Sequence, residues 1–172
     1  AMASTGLITV VPDFIGFGSS KEIMHPYYVE ETSALAVIDG LRAVRELMNQ
    51  EEIRSDAELY LSGFSEGGYV SMATHKYIEE KGLEYFNLKA SFPACGGYDM
   101  KGVRDFFFDQ QIYECPYFMA YIAESYRTYY DIDTSWASKI FNEPYAQRII
   151  NIFDGISDRD QINGQLNDTV AV

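Results

Sequence analysis

The sequence predicts an α/β protein built on a parallel sheet of at least three strands with flanking helices, and three observations predict it. Short apolar runs occur at Leu7 to Val11, around Leu59 and Leu61, and at Leu88 to Ala94. The two stretches between them repeat their apolar positions at helical spacing. Strand, helix, strand, helix, strand is the order in which helical crossovers lay strands side by side and parallel.

"LITVV", Leu7 to Val11, is β-branched and closed by Pro12 and Asp13, as expected of a strand buried on both faces. "IGFGSS" follows as a flexible loop. From Glu31 to Met48 the residues Ala34, Val37, Ile38, Leu41, Val44, Leu47 and Met48 form one apolar stripe, with Asp39, Arg42, Arg45 and Glu46 between them. Leu59 and Leu61 open a second strand, and a second helix over 66–81 ends at Gly82. "LKASFPA" is the third strand. After "CGGYDM" the pattern becomes helical and aromatic with no strand runs, which predicts an α-helical insertion. The expected division is a partial core over 1–100 and a helical cap over 101–172, within one structural domain.

At 172 residues the chain has room for one domain with a sizeable core. Apolar residues make up 47% and charged residues 23%, a globular balance, and most of the 14 Tyr and 11 Phe fall after residue 85. A net charge of −13 repels nucleic acid and anionic membranes and favours non-ionic or cationic substrates. No apolar run reaches the ~18 residues of a membrane span, and no basic-then-apolar targeting segment opens the chain. Cys95 and Cys115 allow one disulfide or two thiols and do not have the spacing of a zinc site. No cofactor or metal is expected.

"LYLSGFSEGGYVSMATHKYIEE" carries the chemistry. Gly63 to Gly67 is Gly-x-Ser-x-Gly, set where a strand turns into a helix. Such a turn forces its serine into strained backbone angles and needs small residues where strand and helix cross; Gly67 and Gly68 are expected at the tightest point. Ser65 would then be a nucleophile at the carboxyl end of a strand. The Glu66 backbone N–H, at a helix N-terminus, would help hold an oxyanion.

These residues resemble the α/β-hydrolase superfamily, in its secreted lipase, esterase and prolyl-oligopeptidase-like branch. Beside "GFSEGG", "VVPDFIGFGSS" is similar to the family's fourth strand with its "PDYxGxGxS" exit loop, followed here by "HPYY" and "AVIDGLRAVREL". "SFPACGGYDM" looks like the strand after the nucleophile helix. The resemblance covers about residues 5–100, and the helical remainder stands where the family inserts a cap. It implies a secreted or periplasmic enzyme whose triad runs in the order Ser, acid, His.

The chain holds two histidines, His25 and His75, and none follows the helical region. His75 lies ten residues beyond Ser65 on the same helix, about 15 Å along its axis, out of reach. His25, in the loop after the first strand, is a candidate base, but Pro26 and the adjacent tyrosines equally suit a structural or pocket-lining role. Asp13 is expected to organise the exit loop and Asp99 to serve a turn or cap. Asp154, Asp158 and Asp160 form a carboxylate cluster read as a solvated loop, with a cation site as the alternative. The expectation is an internal piece of a longer hydrolase, with acid, histidine and second oxyanion donor outside it.

The function expected of that longer protein is a serine hydrolase acting on carboxylic esters through an acyl-enzyme, with a small-molecule ester or lipid-like substrate. No residue is assigned to substrate binding, and the remaining segments of the same hydrolase are the expected partner. The alternatives are a serine peptidase of the prolyl-oligopeptidase-like type, a non-catalytic α/β-hydrolase-like binding protein, and a flavodoxin-like phosphate binder at Gly63 to Gly68.

Overall fold

A computed structural model of the chain describes residues 2–110, 113–153 and 156–166. Helix α1 spans Glu30–Gln50, strand β1 Glu58–Phe64, helix α2 Glu66–Lys81 and strand β2 Asn87–Ala94. Helices α3 to α7 follow at Met100–Phe108, Pro116–Tyr129, Ala137–Ile140, Tyr145–Ile152 and Arg159–Leu166.

Of the expected apolar stripe α1 buries Ala34, Ile38, Leu41 and Met48, each at most 5% exposed, while Val37 and Val44 are half-buried and Leu47, at the stripe's edge, is 53% exposed. Burying an aliphatic side chain of the size of Ile38 contributes about 1.5–3 kcal/mol. Glu30 and Glu31 occupy the first turn, where negative charge meets the positive end of the helix dipole. Gly82, at φ +77°, ends α2 and returns its N–H to the Ile78 carbonyl.

β1 and β2 pair in parallel, Leu61 opposite Ser91 and Phe64 opposite Ala94. α2 packs on the sheet and α1 packs on α2. Strand alternation turns Tyr60, Phe64 and Phe92 to the face away from α2, where all three are exposed.

The first expected strand is the main departure. Among the described residues the sheet has two strands, and Leu7 to Val11 is irregular, with Leu7 and Ile8 each 52% and Val11 86% exposed. A β-rich run becomes a strand only when a neighbour takes up its N–H and C=O groups. No described strand lies beside this one.

The region after residue 100 is helical, as expected, and assembles a cluster of its own. Ala120, Trp136, Phe141, Ile149, Ile152 and Ile162 are buried together, with Tyr117 and Phe153 packed against them. Tyr129 donates its hydroxyl to the Met24 carbonyl at 2.6 Å, tying α4 to the loop before α1.

Candidate functional site

Ser65 stands between β1 and α2 with φ 57° and ψ −119°, a conformation costly for any side-chain-bearing residue. Its N–H donates to the Ala94 carbonyl at 2.8 Å, so the end of β2 holds the turn in place. The side chain makes no capping bond to α2 and is exposed. The first N–H groups of a helix have no acceptor within it, so those of Glu66 and its neighbours form a partial positive charge beside the serine.

The glycines divide the work differently from the expectation. A Cβ on Gly63 would lie 2.0 Å from the Gly67 carbonyl oxygen, and one on Gly68 would lie 2.4 Å from that of Ala94. Gly67 itself has nothing within 4 Å of such a Cβ. The close approaches are strand to helix at Gly63 and helix to β2 at Gly68, because Gly67 offers its carbonyl, not its α-carbon, to the crossing.

His25 reaches this turn by an unexpected route. It is 3% exposed, and its Nδ1 stands 2.7 Å from the Ile15 carbonyl while its Nε2 contacts Glu66 Oε1. Phe14 stacks with its ring, Phe17 packs against it in a T-shaped pair with centroids 4.8 Å apart, and Tyr27 and Tyr121 lie beside it. Gly16, at φ +90°, is required for this fit, since a Cβ there would come within 2.7 Å of the His25 backbone. With both ring nitrogens engaged, His25 is not arranged as a base for Ser65. Sequence reading found "HPYY" but not the Glu66 carboxylate as its partner; a buried histidine needs an acceptor, and nothing local in the sequence tells which.

His75 is held elsewhere, with Nδ1 2.8 Å from Ser91 Oγ and Nε2 3.1 Å from Glu79. The Asp13 carboxylate lies against Gly18 in the exit loop. Asp99 caps α3 by accepting the Gly102 N–H at 3.0 Å. Asp158 and Gln161 exchange hydrogen bonds at the start of α7, each 2.8 Å, and Asp160 pairs with Arg159; Asp154 lies outside the described residues. Among the described residues no group of three or more His, Cys, Asp or Glu is placed to hold a metal ion, and no helix is long and apolar enough to cross a membrane. Cys95 and Cys115 are free thiols.

Beside His25 opens a cleft of about 290 Å³, lined among others by Ile23, Met24, Tyr117, Tyr121 and Phe153. Burial, then Tyr117 and the Glu66 carboxylate, push the Tyr121 phenol up. Tyr27 is pushed up by burial first, then by Tyr28 and Glu66. Both phenols therefore act as neutral groups.

The family described as secretory lipase matches residues 1–80. A candidate hydrolase from Legionella pneumophila is similar at 30% identity and a TM-score of 0.82, over 94% of this chain and 43% of that one. The rice cell wall degrading esterase LipA from Xanthomonas oryzae is similar at 26% identity and a TM-score of 0.73, over 91% of this chain and 42% of that one. No curated protein matches. Fold and matches together show an α/β-hydrolase-like chain, and it spans less than half the length of these two hydrolases.

Proposed function

We propose that the protein carrying this chain is a serine hydrolase of carboxylic esters, with Ser65 as nucleophile. The observation that carries the reading is the backbone of Ser65: an exposed hydroxyl held at φ 57° and ψ −119° on the N-terminal end of a helix. Strain of this kind persists only where the surroundings enforce it, and here Gly63, Gly68 and the Ala94 carbonyl do so.

In the proposed reaction Ser65 Oγ attacks the ester carbonyl carbon and gives its proton to a base that this chain does not supply. The carbonyl oxygen becomes an oxyanion that accepts from the Glu66 N–H. Collapse expels the alcohol, which takes up that proton, and leaves an acyl-serine that water hydrolyses. The many Tyr and Phe side chains of the helices after residue 100 support an apolar acyl or aryl group on a small or lipid-like ester. In this reading the helices after residue 100 act as a cap, and the likeness to secretory lipases supports an extracellular or periplasmic site of action.

Neither histidine is poised over Ser65, so these 172 residues alone are proposed to be inactive. A fluorophosphonate probe tests the class: covalent labelling of Ser65 in the longer protein, lost in Ser65→Ala, is the expected result. An active ester hydrolase whose label lies elsewhere would overturn the assignment.

A further inference from the structure

We propose that His25, protonated on both ring nitrogens, is a positioning residue that locks the Ser65 turn through the Glu66 side chain. The Ile15 carbonyl, 2.7 Å from Nδ1, can only accept, so Nδ1 bears a proton and donates. Nε2 faces Glu66 Oε1, and an ionised carboxylate also only accepts. A neutral imidazole has one N–H for these two acceptors; an imidazolium has two. Each of its donors then finds an oxygen, and its charge finds a carboxylate.

The surroundings suit a paired cation. A buried charge is tolerated where it is both paired and hydrogen-bonded, and His25 meets both conditions. Phe14 stacks on the ring, and aromatic faces attract cations. The ionisable groups around it are Glu66 on α2, the phenols of Tyr27 and of Tyr117 and Tyr121 on α4, and Lys21 and Glu22 along the cleft.

The link matters because of where Glu66 sits. It is the first residue of α2 and shares a peptide bond with Ser65, so the carboxylate that His25 grips belongs to the residue whose N–H is the proposed oxyanion donor. Ile15, His25, Glu66 and Ser65 thus connect the exit loop to the reacting serine. With both nitrogens committed, the ring has no lone pair to accept the Ser65 proton, which makes it a positioning group and not a base. This functional half rests on the reading of Ser65 as nucleophile; the protonation of the pair does not.

Two measurements separate these halves. In the protein carrying 15N-labelled histidine, with His25 assigned by its loss in His25→Gln, NMR is expected to show two protonated ring nitrogens. In Glu66→Gln it is expected to show one, Nδ1. A singly protonated His25 in the wild type, or a doubly protonated one in Glu66→Gln, overturns the pair. For positioning, the rate of fluorophosphonate labelling at Ser65 is expected to fall roughly tenfold or more in Glu66→Gln, at a temperature where both proteins are folded, and to recover in part in Glu66→Asp. An unchanged rate with only a lowered melting temperature would mean that the pair is merely structural. A wild type that resists the probe while its NMR shows the double protonation removes Ser65 as nucleophile, and the positioning role with it, but leaves the pair.

Discussion

Gly68 on α2 lies so close to the end of β2 that a Cβ added to it would stand 2.4 Å from the Ala94 carbonyl oxygen. That same oxygen accepts the Ser65 N–H at 2.8 Å. Helix–sheet packing and the serine's backbone are therefore set by one atom. Gly68→Ala must push β2 away and loosen Ser65 together, and overpacking of this kind costs about 1–3 kcal/mol. Gly67→Ala, with open space around its α-carbon, is expected to be neutral or to stabilise the helix by about 0.5–1 kcal/mol. Chemical denaturation of the two variants checks the contrast, and equal losses would mean that Gly68 is no closer to its neighbours than Gly67 is.

Ser65 stores backbone strain that glycine would relieve. Ser65→Gly is expected to be more stable than Ser65→Ala by roughly 1 kcal/mol, because alanine keeps the Cβ that makes φ 57° costly. Both variants are expected to lose the fluorophosphonate label. Melting temperatures measured side by side decide the point, and an alanine variant as stable as the glycine one would argue against strain.

Glu124, 5% exposed, is held by Arg127 through two hydrogen bonds of 2.7 and 2.6 Å. Removing the guanidinium leaves a buried carboxylate without its partner. Arg127→Ala is expected to cost about 2–3 kcal/mol, toward the low end for a buried pair because the arginine side chain is 26% exposed. Arg127→Lys should recover only part of this, since an ammonium cannot reproduce the two-point grip. Urea unfolding of the set provides the measurement.

Burial raises the phenols of Tyr27, Tyr69 and Tyr121 above their ordinary value of 10.0. For a group with a raised folded-state pKa the sign is fixed: its contribution to stability is complete below the unfolded value and is lost as pH rises toward the folded one. Folding is therefore expected to weaken from about pH 10 upward, because only the unfolded chain ionises these phenols readily. Tyrosinate absorbance from the three should appear together with the loss of helical circular dichroism. Ionisation of all three in a chain that remains folded would contradict their burial.

Much of the frame was legible in local pattern. α2 runs from Glu66 to Lys81 and ends at Gly82, as read from the sequence, and α1 covers the predicted helical span with two residues more at its C-terminus and one more at its start. β2 begins one residue before its predicted start. These elements are set by periodicity and by glycine punctuation, which act within a few residues. Leu7 to Val11 is not a strand among the described residues, for the complementary reason. Its composition states a preference for the strand conformation, but a strand exists only through a partner, and partnership is not a local property.

The candidate site divides along the same line. Gly-x-Ser-x-Gly between a strand and a helix is a local signal, and the sequence by itself determined that Ser65 sits on such a turn. Only the tertiary structure decided that Gly63 and Gly68, and not Gly67, are the points of closest approach, since this depends on which backbone atoms the crossing brings together. Only the tertiary structure joined His25 to Glu66 across 41 residues and surrounded it with Phe14, Phe17, Tyr27 and Tyr121. The sequence specifies which groups need partners; the packing of the exit loop against α2 and α4 selects them, because a buried hydrogen bond forms only where two distant segments place donor and acceptor within about 3 Å.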